Sequence, residues 1–370
     1  MTSNTLNMFA VGDIILGPDA EPFFTFVAPV LKTGDIVLGQ LEVPYTTRDS
    51  DAVALGRDPE NLSALISAGF NVVTLAGNHI WDAGAAGIED TLAWLNKHDI
   101  AFTGGGMNIN EARRPVVIER DGTRFGFMSY NCVGPKETWA APRRPGCAYV
   151  HIITHYELEH ATPGGPPTVY TWAESDTLGA MVDDIRSLRS LCDILVVSLH
   201  KGIGHTPVKL AVYEQQVSYA ALDAGADLIV GHHAHILKGI ELYRGKAIFH
   251  GLCNLVAYVP SLAPGTGQDP RSWARRRKEL FGFEPDPEYP TYPFHPEARY
   301  TIITKCAVKD KKIFQTGYIP CLINKQGQPE ILKRDARGQE VFEYMDKITR
   351  GAGLNAKFEW KGDEVIVQGG

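Results

Sequence analysis

Apolar and polar positions along the first two-thirds of the chain alternate between two kinds of segment. LNMFAV (6–11) is an apolar run that stops at Gly12-Asp13. DIVLGQLEV (35–43), NVVTLAG (71–77) and IAFTGGG (100–106) repeat that character. Short apolar runs bounded by turn residues read as strands buried on both faces. Between them, residues 20–32, 59–69 and 84–97 read as helices. Leu62, Leu65 and Ile66 lie at helical spacing behind Asp58-Pro59, and Ile88, Leu92, Trp94 and Leu95 do so in the third segment. Residues 174–191 and 208–224 continue the pattern, the latter capped by Gly225, around the buried strands DILVVSLH (193–200) and DLIVGHHAH (227–235).

Hairpins interrupt and then replace this alternation. VVIERDGTRFGFMSY (116–130) turns at Asp121-Gly122, and ILKGIELYRGKAIFHGL (236–252) at Arg244-Gly245. Residues 298–320 form strands with a turn near Asp310-Lys311, 336–349 a helix, and 356–369 a hairpin around Lys361-Gly362. Strand–helix alternation followed by long hairpins predicts an α/β fold with mixed sheets, two of them packed together and flanked by helices. Residues 255–296 are rich in Pro, Gly and aromatics and carry the basic run Arg275-Arg276-Arg277-Lys278. They read as a long irregular excursion: a lid, or a cover for a sheet edge. The organisation expected is one domain over 1–325, with a helix-plus-hairpin appendage at 326–370.

The 370 residues suffice for a large core without disulfide or metal staples. A net charge of -7 argues against a nucleic-acid partner. No stretch reaches the roughly 18 apolar residues of a membrane span, and MTSNTLNMFAVGDIILG lacks a basic n-region and a cleavage site. Cys132, Cys147, Cys192, Cys253, Cys306 and Cys321 form no CxxC pair and read as buried thiols. A cytoplasmic protein with no membrane partner is expected.

Strand after strand ends in a potential metal ligand: Asp13, Glu42, Asn78-His79, His200 and His233-Ala234-His235. The crevice outside the carboxyl ends of strands is where α/β sheets bind ligands. Carboxylate oxygen and imidazole nitrogen are the donors that divalent metals use. Taken singly, each has a plainer reading: Asp13 and Asn78 as caps, Glu42 as a surface carboxylate, His200 as a hydrogen-bonded core histidine. The cluster Gly231-His232-His233-Ala234-His235 has no such plain reading, and the set together favours a metal site.

VGDIILG (11–17), GQLEVPYTT (39–47), LAGNHIWDAG (75–84), SLHKG (198–202) and DAGADLIVGHHAHILKGIELYRGKAIFHGLCN (223–254) resemble the CapA family of poly-γ-glutamate capsule-synthesis proteins, in the calcineurin-like metallophosphoesterase superfamily. The resemblance covers roughly residues 7–320. It implies a four-layer α/β/β/α sandwich with the site at the strand ends, and a divalent metal: Mn, Zn, Fe or Ca. It also implies that Asp13, Glu42, Asn78, His200, His233 and His235 hold the metal. His79 would face the substrate and Asp82 orient it, while His232 is an additional imidazole that serves the site or the fold. Two departures stand out. Ile15 occupies the third position of Asp-x-His and cannot bind metal, as is shared by CapA-like proteins. Lys201 stands where Trp is common; Lys201 and His205 either contact an anionic substrate group or are solvated loop residues.

Three functions fit these groups. The simplest is metal-assisted hydrolysis of a peptide or poly-γ-glutamate-type substrate at an amide or carboxylate, with His79 as proton donor. CapA-like proteins also occur as peptide epimerases, which need an acid and a base across a Cα. There His295, beside Glu297 at the end of the 255–296 stretch, would face Asp13 or His79; its plainer reading is a surface loop histidine before Pro296. The third is non-catalytic polymer binding in capsule-type assembly. Ile15 supports it and the Asn78-His79-Asp82 set weighs against it.

Overall fold

Along the strand Leu6–Ile15, Leu6, Met8 and Ala10 enter one hydrophobic core, and Phe9, Val11 and Ile14 another. A strand whose alternate faces are both buried must lie in the middle of a layered structure. The computed structural model, which describes residues 5–49, 57–158, 164–165 and 167–369, shows those layers. The first four residues, on which the expectation of a chain without a leader partly rests, lie outside the described residues.

The first sheet runs in the order Ala356–Lys361, Glu364–Gly369, Lys312–Ile323, Tyr300–Lys309, Leu6–Ile15, Ile36–Leu41, Val72–Thr74, Ala101–Thr103. Its second half is parallel and its first half antiparallel. The second sheet runs Leu237–Tyr243, Lys246–Leu252, Leu228–His233, Ile194–Lys201, Thr123–Asn131, Val116–Arg120, again mixed. Met8, Ala10, Leu38 and Val72 of the first sheet meet Phe127, Val196, Val230 and Phe249 of the second in the central core. The outer face of the first sheet packs on Ser63–Ala68 and Gly84–Lys97, and that of the second on Ser175–Arg189 and Val212–Ala224. The result is an α/β/β/α sandwich with two mixed sheets.

Local chemistry explains where elements differ from the pattern. The helix expected over 20–32 breaks into a 3-10 turn, Glu21–Phe24, and a single α-turn, Ala28–Leu31. Pro22 and Pro29 each sit near a start, where a missing N–H is tolerated, and neither can continue a preceding helix. The 255–296 excursion is not irregular throughout. It contains the helix Pro270–Phe281, capped by the Asp269 carboxylate and ended at Gly282 with φ 78°. The ribbon Ile152–Glu157 with Thr168–Ala173 was not expected; it lies outside both large sheets and leaves Tyr156, Tyr170 and Trp172 exposed. Residues 326–370, expected as an appendage, are continuous with the body. Val341, Met345 and Ile348 of helix Ala336–Gly351 enter the central core, and the last hairpin joins the first sheet at Gly317↔Ile366 and Tyr318↔Val365.

All six cysteines are buried and free. No helix among the described residues is long and apolar enough to cross a membrane. Lys201 is neither a solvated loop residue nor a substrate contact. It is fully buried at the end of its strand, with Nζ 2.9 Å from His250 Nδ1 and 3.8 Å from Glu214 Oε2. Glu214 Oε1 lies 3.8 Å from Lys238 Nζ, so one carboxylate serves two buried ammonium groups. Burial pushes the pKa of both lysines down, Lys238 to about 8, against the opposing pull of Glu214.

Two glycines permit the close approach on which the strand ends depend. A Cβ at Gly12 would lie 2.1 Å from the Cys253 carbonyl oxygen, which accepts the Asp13 N–H at 2.9 Å. A Cβ at Gly231 would lie 2.2 Å from the His250 oxygen. Backbone cannot yield as a side-chain tip can. Gly12→Ala is therefore expected to lower unfolding free energy by about 3 kcal/mol, read by urea denaturation; unchanged stability would show that the two strands separate freely. Glu214→Gln strands two ammonium groups without a counter-charge and is expected to cost on the order of 3 kcal/mol. A loss below about 0.5 kcal/mol, the range of surface substitutions, would mean that the cluster carries no charge balance.

Candidate metal centre

The strand Leu6–Ile15 carries a register shift at Asp13 against both of its parallel neighbours. Such an irregularity re-aims a side chain at a sheet end, and here it lies at Asp13, whose carboxylate is fully buried. Glu42 follows the end of the next strand, Ile36–Leu41, and is also fully buried. His235 arrives just beyond Leu228–His233 from the other sheet. One ligand atom each from Asp13, Glu42 and His235 lie within 4.8 Å of one another. His235 Nε2 is 3.3 Å from Glu42 Oε1 and its Nδ1 3.6 Å from Asp13 Oδ2.

A second group adjoins the first. Asn78 Oδ1 lies 2.7 Å from His200 Nε2 and 3.2 Å from His233 Nδ1. The His233 N–H donates to Asp13 Oδ2 at 3.2 Å, which ties the two groups together. His79 Nδ1 lies 2.8 Å from Asp82 Oδ2, with the imidazole about 39% exposed, so this pair is open to solvent where Asp13, Glu42 and His200 are closed off. The structure thus brings Asp13, Glu42, Asn78, His79, Asp82, His200, His233 and His235 to one end of the paired sheets. Ile15 is buried in the central core and offers nothing to the site.

His295 is placed further out. It caps the turn Pro296–Arg299, its Nδ1 accepting the Glu297 N–H at 3.1 Å. Its ring centre is 5.6 Å from that of Phe283, which is 4.5 Å from that of His205. His205 in turn stacks 5.8 Å from His235. His295 therefore reaches the mouth of the site through two intervening rings, and no contact of it with Asp13 or His79 is present among the described residues. His205 is not a solvated loop residue: its ring lies among Phe283, Phe294 and His235.

Two supporting residues escaped the sequence reading. Asn254 Oδ1 is 2.8 Å from His235 Nδ1, and Asn254 Nδ2 donates to the Tyr292 hydroxyl at 3.0 Å. With Nδ1 donating to Asn254, His235 turns an unprotonated Nε2 toward Glu42, the orienting arrangement usual behind metal-bound histidines. Asn254 closes the segment GLCN and pairs with Asp13 in parallel register, a long-range relation that spacing alone does not show. His232, which the sequence allows to serve either site or fold, is buried. Its Nδ1 lies 3.1 Å from Asp13 Oδ1, so it backs the carboxylate rather than facing the open side.

The electrostatics suit a cation. Burial, followed by the adjacent Asp13 charge, holds the Glu42 carboxyl well above the usual range. Burial and then the neighbouring imidazoles push His200 well down. Burial and then His235 lower His233 to about 3, against the pull of Asp13. Neutral imidazole is the form that binds metal. Asp13 Oδ1, both Glu42 oxygens and His200 Nδ1 are buried with no hydrogen-bond partner among the described residues. Unpaired buried carboxylates are costly; a divalent cation fits this set of oxygen and nitrogen donors.

The sequence pattern described as bacterial capsule synthesis protein PGA_cap matches residues 7–259. The PGA biosynthesis protein CapA of Bacillus subtilis (strain 168) is 27% identical over 272 residues, 69% of this chain and 64% of that protein. The capsule biosynthesis protein CapA of Bacillus anthracis is 27% identical over 267 residues, 68% of this chain and 59% of that protein. The chain therefore spans less than two thirds of the length of either relative. The crystal structure of a hypothetical protein from Thermus thermophilus aligns with a TM-score of 0.48 at 12% identity, covering 85% of this chain and 98% of that one. With the match running through more than half of its residues, the chain belongs to the PGA_cap family of bacterial capsule synthesis proteins.

Proposed function

We propose that the protein is a metal-dependent hydrolase acting on a peptide or poly-γ-glutamate-type substrate at an amide or carboxylate group. The observation that carries this reading is the pair of buried carboxylates, Asp13 and Glu42, which gather with His235 within 4.8 Å and keep three oxygens without a hydrogen-bond partner, beside the half-exposed His79–Asp82 pair. Asp13, Glu42 and His235 would hold a divalent cation in one group, and Asn78, His200 and His233 in the other. Bound there, the cation supplies Lewis-acid polarisation of the substrate oxygen. The names of the relatives, which tie those proteins to capsule and PGA biosynthesis, support a polymer or peptide ligand. The net charge of -7 supports a partner other than nucleic acid.

The chain's own residues divide the remaining work. Asp82 accepts the Nδ1–H of His79 and so fixes the tautomer and orientation of the ring. Burial opposes protonation of His79, but the Asp82 bond and then the neighbouring carboxyl groups outweigh it and raise its pKa. From its half-exposed position His79 would deliver a proton to a leaving nitrogen. Asn254 keeps His235 aimed at Glu42, and Asn78 ties His200 to His233.

A second reading, epimerisation at a peptide Cα without bond cleavage, draws support from His295. Its Nδ1 accepts a backbone N–H, so in the neutral ring the proton sits on Nε2. An acid from the 255–296 segment and a base among the strand-end residues would exchange a Cα proton.

Metal analysis after chelation and reloading with Mn, Zn, Fe or Ca is expected to show bound metal in the parent protein. About 10- to 100-fold weaker binding is expected in Glu42→Gln and His235→Ala; unaltered affinity in both would remove the site. His79→Gln is expected to keep the metal and lose about 100-fold or more in the rate of cleavage of a γ-linked glutamate oligomer. Full activity in that variant would sink the proton-donor role. Deuterium entering a peptide Cα from solvent with no cleavage, abolished by His295→Ala, would select the second reading.

A further inference from the structure

The basic run in the 255–296 segment is not uniform once folded. Arg275, Arg276 and Lys278 are exposed on the helix Pro270–Phe281, whereas Trp273 and Ala274 are buried. Arg277 follows these two by four and three residues, so it shares their inward face. The helix is fixed in place by Trp273, whose Nε1 donates to the Leu262 carbonyl at 3.1 Å.

Arg277 has no hydrogen bond and no ion pair among the described residues, and its Nε is buried without a partner. The Phe281 ring lies beside it, 4.1 Å from Cζ. From there a row of aromatic rings leads to the candidate metal centre. Phe281 lies 6.3 Å from Phe283, Phe283 4.5 Å from His205, and His205 5.8 Å from His235. His205 Nδ1 is likewise buried without a partner. The Arg277 Nε is thus closed off and unpaired while its two terminal nitrogens stay open to solvent, and burying part of a charge costs free energy unless it is paired. Its planar fork is the group that matches a carboxylate in a bidentate pair.

We propose that Arg277 is a substrate-binding residue that pairs with a free carboxylate of the ligand, while the reacting group lies at the strand-end carboxylates and histidines. This rests on the reading of the ligand as an anionic peptide. The division of charge agrees with it: the inner end of the site is lined by Asp13 and Glu42, and the segment above it contributes a cation. A further point agrees: burial, with no acidic neighbour to counter it, lowers the Arg277 pKa from its ordinary value. A γ-linked glutamate chain offers two kinds of carboxylate, those along its length and those of its last unit; both present the same chemistry to Arg277.

The test measures binding and cleavage in the same samples. A γ-linked glutamate trimer is titrated calorimetrically into the full chain reloaded with Mn, alongside the trimer with every carboxylate converted to amide. Arg277→Gln is expected to weaken binding of the acid trimer about 10-fold or more, and Arg277→Lys to weaken it less. The amide trimer is expected to bind the parent weakly and to be indifferent to Arg277→Gln. A trimer amidated only on its last unit identifies which carboxylate pairs. Binding of the acid trimer within twofold of the parent in Arg277→Gln overturns the proposal. So does an equal loss for the amide trimer, which would signal packing rather than charge, and so does no binding by the parent. Arg277-dependent binding without cleavage removes the hydrolase reading and keeps this one. Cleavage with an unchanged KM in Arg277→Gln does the reverse.

Discussion

The site is organised by the burial of one carboxylate. Asp13 is fully enclosed, yet it is met by the His233 N–H at 3.2 Å, His232 Nδ1 at 3.1 Å and His235 Nδ1 at 3.6 Å. All three come from the second sheet, while Asp13 comes from the first. A buried anion of this kind costs several kcal/mol unless it is surrounded by donors or a cation, so the two sheets must be in register at this end for the fold to tolerate it. Gly12 and Gly231 let neighbouring strands draw close within each sheet, since a side chain at either would collide with the backbone of Cys253 or His250. The meeting of Asp13 with these donors joins the sheets at this end and assembles the ligand set.

The backbone around the ligands is held away from its usual conformations. His205, His233, His235 and Cys253 all have positive φ, at 53°, 84°, 51° and 63°. Non-glycine residues adopt this region at a cost of order 1 kcal/mol each, and such costs gather where surrounding structure imposes a geometry. Here the imposed geometry turns His233 toward Asn78 and His235 toward Glu42. Asn254, directly after Cys253, then locks His235 from behind, and Tyr292 accepts from Asn254 while donating to the Ala298 carbonyl. Part of the 255–296 segment is thus structural support for the centre, and part, through Phe283 and Arg277, borders its mouth.

Charge is layered across the molecule in a way that separates structural from reactive roles. Behind His200 and His233, Lys201 and Lys238 share Glu214, while His250 pairs with Glu241 at 2.9 Å. This inner cluster balances its own charges, although Glu214 Oε2 has no hydrogen-bond partner among the described residues. At the centre Asp13 and Glu42 retain unpaired oxygens, and Arg277 retains an unpaired Nε on the outer side. Unpaired groups of opposite sign on the two sides of one opening are what a ligand carrying both a polarised carbonyl and a carboxylate would satisfy.

Local signals in the sequence carry the element types and the ligand kinds. Apolar runs ending in Asp13, Asn78, His200 and His233 are visible as such because strand period and turn chemistry are short-range properties. The hairpins at Asp121-Gly122, Arg244-Gly245 and Lys361-Gly362 are legible for the same reason. The helix Pro270–Phe281 inside 255–296 was hidden by flanking Pro and Gly. The ribbon Ile152–Glu157 with Thr168–Ala173 was hidden because most of it is exposed, with only its Ile152 and Ala173 end packed on a core, so it has little apolar alternation to read. Lys201 looked like a loop cation, since nothing near it in sequence reveals Glu214 thirteen positions on or His250 in another strand. The supporting role of Asn254, the inward turn of Arg277 and the distance of His295 from Asp13 are likewise decided only when the sheets and the 255–296 segment pack together. Residue type and spacing therefore determine which donors exist. Which of them share a site depends on contacts between distant segments, such as that of His233 with Asp13, 220 residues away, and only the packed tertiary structure brings those together.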